Sequence, residues 1–180
     1  MHIRVHSSML VAGSSVFKAM LAPNFKEGAT LAINSVAMEL SLPDDSGCHM
    51  AIICRILHLR NNDVPDELQY NDLAAIAALA DKYDCAEALR AYAHVWINHR
   101  LDLFFKTIAN CRELLLAAYH FQHVALFCKI GAELIMTADG PLWPTDSDFE
   151  ERCPFALSRV FGEGYHCSRK WSFANTSKGF

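Results

Sequence analysis

The chain has 180 residues, of which 52% are hydrophobic and 20% are charged. A chain of this size buries roughly 70% of the surface that its unfolded form exposes, so length and composition exclude a disordered protein. The net charge is −4 and no basic run exceeds Arg169-Lys170, which argues against direct binding to nucleic acid. No apolar stretch approaches the ~20 residues that span a bilayer, and no membrane segment or secretory leader is predicted.

The cysteines indicate a reducing compartment. The chain has seven of them, an odd number. This pattern predicts unpaired thiols, and hence an intracellular protein of the cytoplasm or the nucleus. Five of the seven lie in apolar, helix-like surroundings, namely Cys48, Cys54, Cys85, Cys111 and Cys128.

The first residues predict a strand that leads into two short helices. Ile3 and Val5 alternate with polar residues, which is the period of a half-buried strand. Ser7 offers a hydroxyl group where a first helix can begin. Gly13 is a natural helix end, and Ser14 can cap the second helix.

The next segment predicts a second strand and then a longer helix. Apolar residues recur through residues 29–42 and alternate in the second half, which is typical of a strand or of a hairpin broken at Asn34-Ser35. Residues 43–47 form a turn. The helix that follows has its apolar positions at helical spacing, namely Met50, Ile53, Ile56 and Leu57.

Two antiparallel helices are predicted between residues 71 and 100. Asn71 or Asp72 can cap the first of them, and Asp84 and Glu87 have the spacing of a capping box for the second. The first helix carries a narrow stripe of small and medium-sized residues suited to close packing, namely Leu73, Ile76, Ala77 and Ala80.

Helical periodicity continues to residue 137 and then disappears. Residues 101–137 predict two or three amphipathic helices. Residues 141–180 contain prolines, an acidic patch and a Gly- and Ser-containing end, so we expect a loosely ordered tail.

Several segments together are similar to the BTB/POZ domain, in the versions abundant in filamentous fungi. The opening segment, residues 2–28, contains in order Val-His, a short stretch of small residues and serines, Phe-Lys-x-Met and Phe-x-Glu, as such domains do. Three later segments fall in the matching order: Leu42-Pro43-Asp44-Asp45, Leu57-His58-Leu59-Arg60 and Leu79-Ala80-Asp81-Lys82-Tyr83-Asp84. The resemblance covers about half of the chain.

The resemblance implies an α/β fold that is mostly helical, with a small sheet and helical hairpins. Residues 1–100 correspond to the interaction domain, residues 101–140 to a helical extension and residues 141–180 to the tail. The family acts by self-association or by recruiting protein partners, and it has no catalytic residues or cofactors to carry over. The usual dimer surface corresponds to the first helix, here Ser7, Met9, Leu10 and Ala12.

The resemblance also leaves two alternatives open. The chain is a substrate adaptor for a cullin-type ubiquitin ligase, for which Val64-Pro65-Asp66 is the matching apolar-x-acidic motif, or it is a truncated product. The second alternative arises because relatives carry a strand or hairpin before the Val-His segment, and this chain begins at that point.

Catalytic and metal-binding interpretations are less favoured. Cys48 and His49 are neighbours at a helix start, but a catalytic pair is defined by spatial geometry rather than adjacency. A structural zinc site needs four ligands. Two groups of candidates each supply too few, namely Cys54 with His58, and His120 with His123 and Cys128. The spacing of Cys153 and Cys167 fits no zinc module. We expect no metal and no cofactor. His6 is expected to fix the bend between strand and helix through hydrogen bonding.

Overall fold

The computed structural model describes residues 1–33, 38–102 and 107–137, and the unit that holds nearly all of them is Met1–Met136. The predicted break at Asn34-Ser35, the tail 141–180 and its cysteines lie outside these ranges. A 3₁₀ turn occupies Asn61–Asp63. The α-helices are α1 (Ser7–Gly13), α2 (Ser15–Met20), α3 (Lys26–Ile33), α4 (Gly47–Leu57), α5 (Tyr70–Lys82), α6 (Ala86–Asp102), α7 (Ile108–His120) and α8 (Val124–Thr137).

Helix α5 is the centre of the core, because it packs against α4, α6 and, most extensively, α7. The predicted stripe of α5 is confirmed as its packing face: its four residues, Leu73, Ile76, Ala77 and Ala80, are fully buried. In α7, Ala117 and Ala118 are fully buried as well. Small side chains allow two helix backbones to approach closely. The tight α5–α7 contact therefore follows from the alanine content of both helices.

Helix α6 fixes the connection that leads from the 3₁₀ turn into α5. The buried Trp96 donates a hydrogen bond from Nε1 to the Pro65 carbonyl at 2.9 Å. One turn later, Arg100 donates from Nε to the Leu68 carbonyl and is itself buried. The irregular connection thus has its backbone acceptors satisfied by side chains, as buried polar groups require.

The predicted α/β fold is wrong, because the described part of the chain contains no strand and no sheet. Residues 1–6 form neither helix nor strand; Ile3 and Val5 are half-buried, but they line an apolar groove with Leu40 and Leu42 rather than joining a ladder. Among the described residues, segments 1–6 and 38–42 share no backbone hydrogen bond. Alternation predicts which side chains are buried, but a strand also needs a hydrogen-bonded neighbour.

The predicted strand over residues 29–42 is also wrong in its first part, where α3 runs from Lys26 to Ile33. Glu27 lies in the first turn, where a carboxylate is favourable. Gly28 explains how the helix fits: a Cβ atom there would lie 1.9 Å from the Ala22 carbonyl oxygen. The helix therefore closes on the end of α2 at a distance that only glycine permits.

The predicted helix starts are partly confirmed. Ser14 caps α2, since its Oγ accepts the Phe17 amide at 3.0 Å. The N-cap of α1 is His6 rather than Ser7, and the N-cap of α5 is Gln69, so Asn71 and Asp72 already lie inside the helix. Capping propensity locates a helix start to within two or three residues, and neighbouring contacts decide the final position.

Three helices end with a left-handed residue that is not glycine. Leu59, Asp84 and Gln122 follow α4, α5 and α7 with φ values of 57°, 47° and 54°. In each case the next amide donates to a carbonyl five residues back, for example Arg60 to Arg55 at 2.9 Å. This is the Schellman arrangement, in which glycine is the usual residue. Asp84 therefore ends α5 and does not form the predicted capping box with Glu87.

No helix in the described ranges has the length and apolar character needed to cross a bilayer.

Enlarging the central contact should destabilise the fold. We expect Ala77→Leu to lower the free energy of unfolding by about 1–3 kcal/mol, because added methylene groups must displace a packed neighbour. Urea unfolding followed by circular dichroism measures this. Ala91→Leu on α6 is the matched control, since Ala91 is exposed and should change stability by less than about 0.5 kcal/mol. Equal stability of the two variants would contradict the close α5–α7 packing.

Candidate functional site

Tyr83, at the end of α5, is the point where the N-terminal helices join the core. Its ring stacks on Phe17 of α2 with a centroid separation of 4.6 Å and an interplanar angle of 9°. Its carbonyl accepts a hydrogen bond from the Ser14 hydroxyl, and the next residue, Asp84, accepts one from Ser15. We call this set of contacts the Tyr83 junction. It joins two segments that are far apart in the sequence.

Asp45 completes the Tyr83 junction from a third segment. Its carboxylate accepts hydrogen bonds from the Tyr83 hydroxyl and from Lys82 Nζ, the latter at 2.6 Å, and its side chain is 6% exposed. Asp45 is therefore not a solvated turn carboxylate, whereas the neighbouring Asp44 is exposed. Burial raises the pKa of Asp45, but the two hydrogen bonds and the Lys82 charge outweigh it and hold the pKa below its usual value. Burial and Asp45 together raise the pKa of Tyr83.

His58 attaches the extended N-terminal segment to the end of α4. The His6 amide donates to His58 Nε2 at 2.8 Å, and His58 Nδ1 lies 2.7 Å from the Cys54 carbonyl. Since a carbonyl only accepts, Nδ1 carries the proton and the imidazole is neutral. The expected bend at His6 is therefore fixed by hydrogen bonding, but through the backbone amide and not through the His6 ring.

The candidate histidine ligands, His58, His120 and His123, contact other partners. The described residues contain no group of three or more His, Cys, Asp or Glu side chains placed to hold a metal ion. His120 Nδ1 lies 3.1 Å from Asp81 Oδ2, and His123 Nε2 lies 3.1 Å from His94 Nδ1. The two rings of the histidine pair lie end to end, 22° from coplanar, so their lone pairs do not converge on a common point.

Cys48 and His49 do not form a catalytic pair. Cys48 is exposed, whereas His49 points to α5 and places Nε2 3.0 Å from Asp72 Oδ1. A thiol and an imidazole must lie within hydrogen-bond reach to act together, and the described contacts include none between these two residues. Their adjacency in the sequence puts them on different faces of α4.

The buried cysteines have the properties of core residues. The five cysteines of the described ranges are all free, and Cys54, Cys85 and Cys111 are buried. Burial raises the pKa of the Cys85 thiol to about 12, and those of the Cys54 and Cys111 thiols to about 11. Such thiols are protonated near neutral pH and are poor nucleophiles and metal ligands.

The predicted interface on α1 is divided by the fold. Leu10 is buried in the core at 5% exposure, while Ser7 and Met9 are half-buried and Ala12 is exposed. The helix packs tightly on α4, since a Cβ atom on Gly13 would lie 2.4 Å from Leu57 Cδ2. Met9 and Ala12 are therefore the residues of this set that can reach a partner, and their role stays a prediction.

Helix α8 carries an apolar surface that the interface prediction missed. Leu126, Ile130 and Leu134 are buried and form its inner face. The opposite side is also apolar and lies in solvent: we call it the α8 stripe, and it consists of Val124, Cys128, Ala132, Ile135 and Met136. Exposure reaches 73% for Val124 and 83% for Met136. The near-absence of charged residues in α8 is the sequence signal that could have revealed it.

Removing the His58 side chain should release the N-terminal segment. We expect His58→Ala to speed hydrogen exchange of the His6 amide about five- to tenfold, because the amide loses an acceptor worth about 1 kcal/mol. Exchange is measured by NMR. His2→Ala is the control, since the His2 ring is 89% exposed and pairs with Glu39 at the surface. Unchanged exchange in His58→Ala would rule out this attachment.

Acid should weaken the Tyr83 junction. Because the folded pKa of Asp45 is lowered, its carboxylate stabilises the fold above the unfolded pKa of about 3.9 and loses that effect as pH falls through the folded value. We expect Asp45→Asn to cost about 1–2 kcal/mol at pH 7, a modest value because Lys82 is half exposed, and progressively less below pH ~4. Denaturant titrations across pH measure this, with Asp44→Asn as the control. A cost that is independent of pH would contradict the charged interaction.

Comparison with known proteins gives this chain no family and no relative. No family model matches the chain, and neither the curated proteins nor the solved structures contain a match to it. The functional argument therefore depends on the geometry of the described residues.

Proposed function

We propose that this chain is a non-enzymatic interaction module that associates with a second copy of itself through the α8 stripe. The observation that carries the proposal is that α8 is apolar on two opposite faces, of which the fold covers one. A helix that is apolar on all sides is normally buried. An exposed face of this kind is typical of a surface that a partner covers.

The composition of the α8 stripe favours a second copy as the occupant. Its middle residues, Cys128 and Ala132, are small and allow two helices to approach closely. These small middle residues therefore allow a second copy to pack closely against the stripe.

The arrangement of the family-like segments also supports an interaction module. The Tyr83 junction brings together the opening segment, Asp45 and the segment that ends at Asp84. The fourth segment contributes His58, which holds the His6 amide. Each of the four segments on which the BTB/POZ resemblance rests thus contacts at least one of the others. Free thiols at all five described cysteines support the proposed location inside the cell, in the cytoplasm or the nucleus.

The alternative role as a cullin adaptor receives less support from the geometry. Its motif begins with Val64, which is only 7% exposed, and the Pro65 carbonyl is bonded to Trp96. The apolar residue of the motif is therefore not offered to a partner. A pull-down of the full chain with cullin scaffolds tests this alternative directly, and specific retention would favour it over the α8 proposal.

Introducing a charge into the α8 stripe should separate the two copies. We expect the full chain to be dimeric at micromolar concentration by size exclusion with light scattering, and Ala132→Glu to be monomeric, because the pair would bury two unpaired carboxylates. Ala91→Glu is the matched control, since it also places a glutamate on an exposed helical alanine. It should leave the dimer intact.

Two further measurements separate the possible outcomes. Alkylation of Cys128 should slow as the protein concentration rises, while alkylation of Cys48, which is exposed on α4, should not. Ala12→Glu tests the surface predicted on α1. A monomeric wild-type chain would overturn the proposal, and dissociation by Ala12→Glu but not by Ala132→Glu would assign the interface to α1 instead.

A further inference from the structure

A basic cleft lies where the N-terminal segment meets the end of α4. It has a volume of about 840 Å³ and is lined by Arg4, Val5, His6, Cys54, Arg55, His58 and Arg60. The three arginines come from three different parts of the chain: the N-terminal segment, the last turn of α4 and the loop that follows it. All three are exposed. On a chain with a net charge of −4, this is a local concentration of positive charge.

One acidic residue, Asp63, offsets part of that charge with its carboxylate and orients two of the arginines. Asp63 Oδ2 lies 2.7 Å from Arg60 Nη2, and the Asp63 carbonyl accepts from Arg55 Nη1 at 3.1 Å. A guanidinium group has five N–H donors, so Arg55 and Arg60 are held in place and still have donors available. Such a pre-oriented pair loses less side-chain entropy when it binds an anion.

Arg4 distinguishes this cleft from an ordinary helix end. A basic residue in the last turn of a helix is favourable because of the helix dipole, and this explains Arg55 without any ligand. It does not explain Arg4, which lies on the N-terminal segment and makes no ion pair or hydrogen bond within the described ranges. His58 holds the neighbouring His6 amide and thereby keeps Arg4 at the cleft. A third guanidinium is thus brought to a site that already has a net positive charge.

We propose that this cleft binds a small organic molecule that carries two or more phosphate groups. Three guanidinium groups opposed by one carboxylate leave about two positive charges to neutralise, and guanidinium binds phosphate oxygens bidentately. The volume is within the range of roughly 300–1,000 Å³ that is typical of small-molecule sites. Val5 and Cys54 provide an apolar wall for the organic part of the ligand. This site is separate from the α8 stripe and does not depend on the proposed self-association.

The sequence alone does not show this cleft because its arginines are dispersed. Only Arg55 and Arg60 are near each other along the chain, and neither belongs to a glycine-rich phosphate loop. The N-terminal segment reaches α4 through folding, and the positive site exists only after that contact has formed.

Isothermal titration calorimetry of the full chain tests the proposal, with pyrophosphate, adenosine diphosphate and succinate as the probes. We expect both phosphate compounds to bind and succinate to bind more weakly. Arg4→Gln should weaken pyrophosphate binding by about tenfold or more, since a hydrogen bond to a charged group is lost. Arg90→Gln is the matched control, because Arg90 is an exposed arginine of α6 that does not line the cleft.

Circular dichroism and thermal melting show whether Arg4→Gln remains folded. With the fold intact, three results would overturn the proposal: no binding of pyrophosphate by the wild-type chain at millimolar concentration, equal weakening by Arg4→Gln and Arg90→Gln, or succinate binding as tight as pyrophosphate. A fourth result is that pyrophosphate binds and adenosine diphosphate binds no more tightly than pyrophosphate. This result would support the phosphate site and exclude the role of Val5 and Cys54 as a wall for the organic part of the ligand.

Discussion

The rest of the structure depends on the Tyr83 junction. A helix as short as α1 or α2 is not stable by itself, since fewer than about 12 residues form a marginal helix in water. The end of α5 holds α2 and its cap Ser14 with a ring, a carbonyl and a carboxylate in one place, while α1 packs on α4 at Gly13. Tyr83 is only 3% exposed, so the hydrogen bond from Ser14 to its carbonyl forms where water does not compete. The junction therefore attaches the N-terminal helices to the stable α5 core and keeps them ordered.

The sequence predicts the helical core well, for a physical reason. Each helix from α4 to α6 buries a stripe at helical spacing, so the spacing of apolar residues along the chain shows which side of the helix faces inward. The alanines of α5 even predict how closely its neighbours approach. The cap at Ser14 was predictable in the same way, because its hydroxyl group bonds to the helix that directly follows it. Features determined by neighbours within about four residues were therefore predictable.

Features determined by distant residues were not. The apolar alternation of residues 1–6 is compatible with a strand or with an extended segment in a groove, and only the position of Leu40 and Leu42 distinguishes the two. Asp45 has a turn sequence around it, yet its environment is determined by Lys82 and Tyr83. In each case the deciding partner is far away in the sequence, and a local pattern contains no information about it.

The N-terminal segment shows how one local pattern can serve two surfaces. Its apolar residues Ile3 and Val5 line the groove, whereas Arg4 and His6 line the basic cleft, and Val5 contributes to both. The apolar and the charged residues thus divide largely between two surfaces, although the segment pairs with no strand in the described ranges. What replaces the missing ladder is the bond from the His6 amide to His58, together with the start of α1 at the same residue. A single attachment point therefore positions both the apolar and the charged side of the segment, which makes the cleft a direct consequence of how the chain reaches its first helix.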